Sequence, residues 1–418
     1  LNSSQLLRRI ATGFLGINSR LLKLIKVLYV LLIIAGNRYT DNTNYQTSQE
    51  GRRNVRNFLK IEEAEDLLRN TEGTTNVDNI LERTRLRIRS EFANYNFSRT
   101  KGEDSLDNFL LESGGQPLRN LIVSTWRSGT TFLGEIINAI PGTYYHYEPL
   151  LSYGIIQIRG PPHDHSAIRF IKQMMACNYE GLDEYFMFGK DNLHQFSHNT
   201  KLWDICKLDR KMCLDADFTS KFCKLFPFQT MKIVRVRLRL VEEFLKNDDL
   251  RVKVIFLVRD PRGVMQSRQH RDFCQPSPDC WQPELLCADM VNDYVAASYF
   301  VQKYPKKFMV LRYEDLALNL NITVKDLLKF LGLSVTSSVD EFLQSHTTVQ
   351  IGGVSSTFRV SRDVPFRWKN ILDFYDVEKI QNACTEAMHH WGYRMVYNET
   401  EMRDKDFNPI EEYVFDLT

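Results

Sequence analysis

The segment from Leu121 to Thr131, LIVSTWRSGTT, constrains the fold more than any other part of the chain. A run of apolar or small residues over Leu121–Ser124 leads directly into a polar turn, and apolar residues at helical spacing follow that turn. This order is typical of a buried parallel strand, a tight loop and the start of a helix. The sequence therefore predicts an α/β fold in which a P-loop-like parallel sheet is flanked by helices.

The predicted loop is suited to binding an anion. Its backbone N–H groups converge, and the following helix N-terminus adds partial positive charge. Gly129 permits a close backbone approach, Thr130 and Thr131 offer hydroxyl donors, and Arg127 adds a permanent charge. We expect Trp126 and Arg127 to be exposed. The alternative for a lone SGTT segment is a strand, turn and helix that bind no ligand.

A second candidate binding motif follows the apolar strand predicted over Val252–Val258. The motif reads RDPRGVMQSR over Arg259–Arg268. Arg259 lies at the carboxyl end of the strand, where open α/β sheets bind ligands, and Ser267 lies about two turns into the next helix. A guanidinium fork and a hydroxyl at this place could hold a phosphate. A capped helix with surface arginines is the alternative if the motif is taken alone.

The two motifs together resemble the donor site of the Golgi carbohydrate sulfotransferases, which use 3′-phosphoadenosine-5′-phosphosulfate (PAPS). The resemblance spans about Leu118–Tyr393 and implies the sulfotransferase fold. Arg259 and Ser267 match the residues that hold the 3′-phosphate. The residues that match the 5′-phosphosulfate loop are Arg127, Ser128, Gly129, Thr130, Thr131 and Phe132.

Two later segments resemble the family less closely. YEDL, over Tyr313–Leu316, also follows a strand in these enzymes, and an acidic helix N-terminus explains it equally well. Arg362 and Trp368 lie in a stretch that resembles a loop closing over the nucleotide, which implies contacts with the adenine or the 3′-phosphate. For Trp368, a position in the hydrophobic core is the alternative.

The resemblance implies in-line transfer of a sulfuryl group from PAPS to a sugar hydroxyl. The acceptor implied is the 6-hydroxyl of N-acetylglucosamine, galactose or N-acetylgalactosamine within a glycan, glycoprotein or proteoglycan. Arg127 would stabilise charge that develops on the bridging oxygen, and no metal ion is required. A protein-tyrosine sulfotransferase, a P-loop nucleotide kinase and a noncatalytic glycan-binding protein remain as alternatives. The kinase pattern GxxxxGK[ST] is absent, because Gly129 and not lysine precedes Thr130.

Glu148 is the candidate general base. It follows the strand predicted over Thr143–Tyr147, and the family places Glu-Pro at this point. We expect partial burial beside neighbouring tyrosines to raise the pKa of its carboxyl. His146 is the rival base, and strand alternation predicts that Glu148 shares its face, opposite Tyr145 and Tyr147. A structural role for the carboxylate is the further alternative.

The N-terminal region predicts a membrane anchor. Basic residues precede and interrupt an apolar stretch that ends at Gly36, which favours an uncleaved signal anchor over a cleaved signal peptide. The resemblance implies a single-pass type II protein of the Golgi membrane, with its catalytic domain in the lumen. The expected divisions are a cytosolic tail over 1–20, an anchor helix over 21–36, a lumenal stem over 37–115, a catalytic domain over 116–400 and a C-terminal tail over 401–418.

Cysteine usage agrees with a secretory compartment. All 8 cysteines follow the apolar stretch, and they predict disulfides whose pairing the spacing does not determine. A net charge of +2 gives no general reason to expect nucleic acid as a partner. The expected partners are a glycan acceptor and the Golgi membrane, with a homodimer left open.

Overall fold

Five parallel strands form the centre of the computed structural model, which describes residues 77–93, 95, 97, 105–347 and 361–415. The sheet has the order β2-β3-β1-β4-β5, and each neighbouring pair is parallel. The α/β class predicted from the sequence is confirmed. The strands are β1 Leu118–Val123, β2 Thr143–Tyr147, β3 Phe228–Ile233, β4 Val252–Val258 and β5 Phe308–Arg312.

Helices pack on the sheet. Their bounds are α1 Val77–Glu91, α2 Thr130–Asn138, α3 Asp164–Met175, α4 Asp183–Asp191, α5 His194–Ser197, α6 Thr200–Cys206, α7 Ala216–Cys223, α8 Glu242–Leu245, α9 Pro261–Arg268, α10 Pro278–Trp281, α11 Pro283–Lys303, α12 Tyr313–Leu318, α13 Leu320–Leu331, α14 Ser337–Thr347, α15 Trp368–Ile371, α16 Phe374–His390 and α17 Glu399–Arg403. Short 3-10 helices occupy Leu106–Phe109, Leu111–Ser113, Leu151–Tyr153, Met212–Leu214, Leu238–Val241 and Ser361–Asp363.

The strand order brings two loops to one edge of the sheet. β1 lies between β3 and β4, and its residues are buried from Arg119 to Val123. Apart from the partly buried Lys253, β4 is apolar and buried on both faces, as expected of an inner parallel strand. Because neighbouring parallel strands end at the same edge, the segments that follow β1 and β4 emerge side by side.

The two ends of the described chain pack onto the sheet domain. Ile80, Leu81 and Ile88 of α1 are buried, although they fall within the segment expected to be a stem. In the expected C-terminal tail, Met402 is buried, and Tyr294 donates a hydrogen bond from its hydroxyl to the Val414 carbonyl at 2.9 Å. Packing against the domain therefore extends beyond the limits at 116 and 400.

The expected anchor over 21–36 lies outside the described residues. Within the part that is described, none of the helices combines the length and the apolar character that crossing a bilayer requires.

Disulfides join all eight cysteines and resolve the pairing that the spacing left open. The bond between Cys287 and Cys384 joins α11 to α16, which pack along each other. The four pairs are Cys177–Cys223, Cys206–Cys213, Cys274–Cys280 and Cys287–Cys384.

We predict that the double change Cys287→Ser and Cys384→Ser lowers the free energy of unfolding more than Cys206→Ser with Cys213→Ser. The first pair closes a separation of 97 residues and the second a separation of 7, so the unfolded chain gains more entropy when the first is removed. We expect the difference to be about 2 kcal/mol in urea unfolding. Both pairs are buried, so equal losses would contradict the loop-entropy argument.

Candidate functional site

The structure brings the two predicted motifs into direct contact. Arg259, at the end of β4, donates from Nη1 to the carbonyl oxygen of Arg127 at 2.8 Å. Arg127 in turn donates from Nε to the Ser267 hydroxyl at 3.0 Å. The loop after β1 and the helix after β4 therefore form one continuous, positively charged surface.

The loop after β1 ends at an open helix N-terminus. Gly129 occupies the N-cap of α2 at φ +94°, and the next helical bond runs from the Leu133 N–H to the Gly129 carbonyl. The amides of Thr130, Thr131 and Phe132 precede that bond, and first-turn amides have no partner within a helix. Ser128, earlier in the same loop, is buried. This turn can therefore present several N–H donors to one anion.

Tyr313, from the YEDL segment, packs beneath both loops. A Cβ atom at position 129 would overlap the Tyr313 ring, so glycine is required there for packing as well as for its positive φ. The Arg259 guanidinium lies over the same ring, 4.5 Å from its centroid. The tyrosine thus fixes the relative positions of the loop and Arg259.

Trp126 is buried, and the expectation that it would be exposed is wrong. The guanidinium carbons of Arg235 and Arg268 lie 5.6 and 5.7 Å from the centroids of its rings. Arg268 also donates to the Trp126 carbonyl, to the Thr125 hydroxyl at 2.7 Å and to the Cys280 carbonyl at 2.8 Å. The last arginine of the RDPRGVMQSR motif is therefore structural, and it supports the loop after β1 from the protein interior.

The middle of the RDPR motif is structural as well. Asp260 caps α9 by accepting from the Arg262 N–H at 2.9 Å, and the two side chains form a fully buried ion pair. The Arg262 guanidinium also lies 4.0 Å from the Trp368 ring centroid.

The segment that contains Arg362 and Trp368 contributes less to this site than the resemblance implied. Trp368 is fully buried and shows no free ring face, which favours the core alternative. Arg362 is exposed, and in the described part of the chain no hydrogen bond or ion pair joins it to either loop.

Glu148 lies in a buried ion-pair cluster. Its carboxylate accepts from Lys232 Nζ at 2.5 Å and from Arg235 Nη1 at 2.7 Å. Burial alone would raise the pKa of this carboxyl, but the two cations outweigh burial and lower it to about 2. The expectation of a raised pKa is therefore wrong, because the neighbours that decide it are cations rather than tyrosines.

His146 faces the other side of the sheet. Its ring packs against Tyr144, and its Nδ1 lies 3.2 Å from the Tyr179 hydroxyl. Burial lowers the pKa of His146 to about 3. Glu148 does not share this face, because its φ of +40° breaks the strand alternation and turns its carboxylate towards Lys232.

Sequence reasoning missed Lys232 and Arg235. Lys232 Nζ contacts both the Thr131 hydroxyl, at 3.2 Å, and Glu148, so it connects the anion-binding loop to the candidate base. It also lies 4.2 Å from the Tyr147 ring centroid. The available signal was a set of basic residues inside a segment, MKIVRVR, that otherwise reads as a buried strand.

Glu314 connects the start of α9 to the C-terminal region. Its buried carboxylate accepts from the Asp260 N–H at 3.1 Å and from the Tyr393 hydroxyl at 3.0 Å. Burial, followed by the nearby Asp260 carboxylate, raises the pKa of Glu314 to about 7. The hydrogen bond from the Asp260 N–H fixes the position of Asp260, the residue that follows Arg259.

The donor set fits a ligand with two anionic groups. The buried Nε of Arg259 has no hydrogen-bond acceptor among the described residues, although one is expected for a buried guanidinium N–H. Together with the helix N-terminus and Ser267, this donor leaves capacity for phosphate-like oxygens. The described residues contain no group of three or more histidine, cysteine or acidic side chains arranged to hold a metal ion.

Comparison with known proteins gives one family. A sulfotransferase domain profile matches residues 118–392. Carbohydrate sulfotransferase 5 of Mus musculus is 25% identical over 69% of this chain and 84% of its own. Carbohydrate sulfotransferase 6 of Homo sapiens is 24% identical over 68% and 82%. The crystal structure of mouse sulfotransferase SULT7A1 complexed with PAP is 13% identical over 65% of this chain and 84% of its own, with a TM-score of 0.33.

We predict that Glu314→Gln reduces a loss of stability that the raised pKa of Glu314 causes in the native protein between about pH 4.5 and 7. Because the pKa of Glu314 is raised, its contribution is full below about pH 4.5 and is lost as the pH rises through about 7. We expect the free energy of unfolding to fall by on the order of 3 kcal/mol from this group between pH 5 and 8. Urea unfolding across that range should show a flatter profile for Glu314→Gln. The exposed Glu412→Gln is the control, and equal pH slopes for native protein and Glu314→Gln would contradict the prediction.

Proposed function

Because the chain belongs to the sulfotransferase domain family, we propose that it transfers a sulfuryl group from PAPS to a sugar hydroxyl of a glycan. The observation that carries this proposal is the contact of Arg127 with both Arg259 and Ser267, which joins two anion-binding motifs into one site. The acceptor class is supported by the similarity to carbohydrate sulfotransferases over more than two thirds of the chain.

The donor would be held at its two charged ends. The backbone amides from Ser128 to Thr131 would bind a 5′-phosphosulfate, and Arg259 with Ser267 would bind a 3′-phosphate. When bound there, PAPS supplies the sulfuryl group that is transferred. The orphan Nε of Arg259 supports this assignment, because it lacks an acceptor among the described residues.

Two cations would stabilise the negative charge that develops during transfer. Arg127 cannot lose its proton, so it acts by donating hydrogen bonds and by stabilising charge on the bridging oxygen. Lys232 reaches the Thr131 hydroxyl on the same loop. Both side chains are held by protein contacts beforehand, which reduces the reorganisation required during the reaction.

Glu148 remains the proposed base. Its carboxylate lies on the side of the sheet that carries Lys232 and Thr131, whereas His146 lies on the opposite face. The ion pairs make Glu148 a weak base. In a loose transition state the hydroxyl proton becomes strongly acidic only as the sulfuryl group is transferred, so a weak base in the right place suffices.

The location is also part of the proposal. We propose that residues 21–36 anchor the protein in the Golgi membrane with the catalytic domain in the lumen. Four disulfides within the described domain support an oxidising compartment.

We predict that the purified protein transfers radiolabelled sulfate from PAPS to glycans ending in N-acetylglucosamine, galactose or N-acetylgalactosamine. Arg127→Ala should lower kcat about a hundredfold or more, because it removes a charge aimed at the transition state. Arg259→Ala should chiefly raise the KM for PAPS. The exposed Arg210→Ala is the matched control. Labelling of a tyrosine peptide instead of any glycan, or tighter binding of ATP with magnesium than of PAPS, would reject the proposal.

For the base, we predict that Glu148→Gln lowers kcat by about a hundredfold or more, while His146→Ala retains transfer and loses stability. PAP affinity and thermal unfolding must be measured on both variants, because Glu148→Gln also leaves Lys232 and Arg235 without their counter-ion. Full activity in Glu148→Gln together with loss in His146→Ala would assign the role to histidine. Full activity in both would leave Glu148 as a structural carboxylate.

A further inference from the structure

A ring of contacts leads from Lys232 to two side chains that have no role in the proposed reaction. Lys232 Nζ lies 3.2 Å from the Thr131 hydroxyl and 4.2 Å from the centroid of the Tyr147 ring. The His198 imidazole stacks on that tyrosine ring, with 3.7 Å between centroids and 14° between planes. Its Nδ1 atom lies 3.6 Å from Oε1 of Glu135. Glu135 follows Thr131 by about one turn of α2, which closes the ring.

This ring borders the candidate base and is partly open to solvent. Glu148 directly follows Tyr147 and accepts from Lys232 at 2.5 Å. Tyr147 and Glu148 are partly exposed, whereas Lys232 is buried. The side chains of His198 and Glu135 are 29% and 21% exposed. A sugar whose hydroxyl reaches Glu148 therefore lies beside this pair, because a single aromatic ring separates His198 from Lys232.

The fold does not use the polar side-chain atoms of His198 and Glu135. Among the described residues, no hydrogen bond reaches the carboxylate or the ring nitrogens, and their separation of 3.6 Å exceeds hydrogen-bond range. Both residues are nonetheless held in place. Glu135 lies within α2, and the Asn138 side-chain amide donates to the His198 carbonyl at 3.3 Å. Polar groups that are held in place and still able to form hydrogen bonds are suited to ligand recognition.

We propose that Glu135 and His198 bind hydroxyl groups of the acceptor sugar and so direct its reacting hydroxyl to Glu148. This inference rests on the proposed function. A carboxylate accepts hydrogen bonds from sugar hydroxyls, and an imidazole can donate or accept them. The negative charge of Glu135 would repel a phosphate or a sulfate. The ligand of this pair is therefore a neutral sugar residue of the glycan and not a further part of the nucleotide.

The choice of variants separates binding from packing. His198→Phe keeps an aromatic ring against Tyr147 and removes both ring nitrogens, whereas His198→Ala removes the stack as well. Glu135→Met keeps an unbranched side chain on α2 and removes the carboxylate. The exposed His389→Phe and Glu184→Met are the matched controls.

Transfer is measured on the glycan that the native protein sulfates fastest among those ending in N-acetylglucosamine, galactose or N-acetylgalactosamine. His198→Phe and Glu135→Met should each raise the KM for that glycan about tenfold, as expected when one or two hydrogen bonds are lost. The KM for PAPS should not change, because neither side chain belongs to the donor site. Both control variants should leave all of these constants unchanged.

Three results would overturn the inference. A raised KM for PAPS with an unchanged KM for the glycan would assign the pair to the donor. A normal glycan KM in His198→Phe, together with a raised one in His198→Ala, would restrict His198 to packing on Tyr147. A lower Tm in Glu135→Met, with equal changes in both KM values, would make Glu135 structural.

A binding measurement separates this inference from the proposed function. Methyl glycosides of N-acetylglucosamine, galactose and N-acetylgalactosamine are titrated in saturation-transfer NMR against PAP-saturated native protein, His198→Phe and Glu135→Met, which requires no turnover. At least one glycoside should bind the native protein, and each variant should bind it about tenfold more weakly. That result would support the inference even if the native protein transferred no sulfate. Equal binding to the variants, or no binding of any glycoside to the native protein, would reject it whether or not transfer occurs.

Discussion

The structure depends on how Arg127 is held between two neighbouring loops. Its carbonyl oxygen accepts from Arg259 and its guanidinium donates to Ser267, so a single residue joins the segment after β1 to the helix after β4. This contact is available only because β1 and β4 are adjacent parallel strands that end at the same edge. Sheet order therefore comes first, and the anion-binding surface follows from it.

A buried ion pair and a buried carboxylate behind this surface fix the start of α9. Asp260 caps α9 and neutralises Arg262, while Glu314 holds the Asp260 amide. Breaking such a pair leaves an unpaired buried charge, which typically costs about 3–5 kcal/mol. The acidic residues around the site thus act mainly as anchors, and the side chains left to face a ligand are cationic or hydroxyl-bearing.

Local sequence patterns predicted the strands, the loop and the pairing of the two motifs, because apolar runs and turn residues report directly on local conformation. The similarity to carbohydrate sulfotransferases that TWRSGTTF and RDPR indicated is confirmed. The failures concern properties set by distant residues. The burial of Trp126 depends on Arg235 and Arg268, and the pKa of Glu148 depends on Lys232. The positive φ at Glu148 reversed a face assignment that strict alternation had predicted.

Around the loop, cationic donors outnumber the protein acceptors that could bind them. Lys232 and Arg235 share one carboxylate, that of Glu148, and Arg259 retains a buried N–H without an acceptor among the described residues. Such an arrangement is unfavourable in isolation, since each buried donor has lost its water. A bound polyanion would restore the missing hydrogen bonds, and by linkage its binding would stabilise the folded state. The same unsatisfied donors that destabilise the free domain therefore favour anionic ligands. A neutral ligand of equal size would not offset the free-energy cost of desolvating these donors.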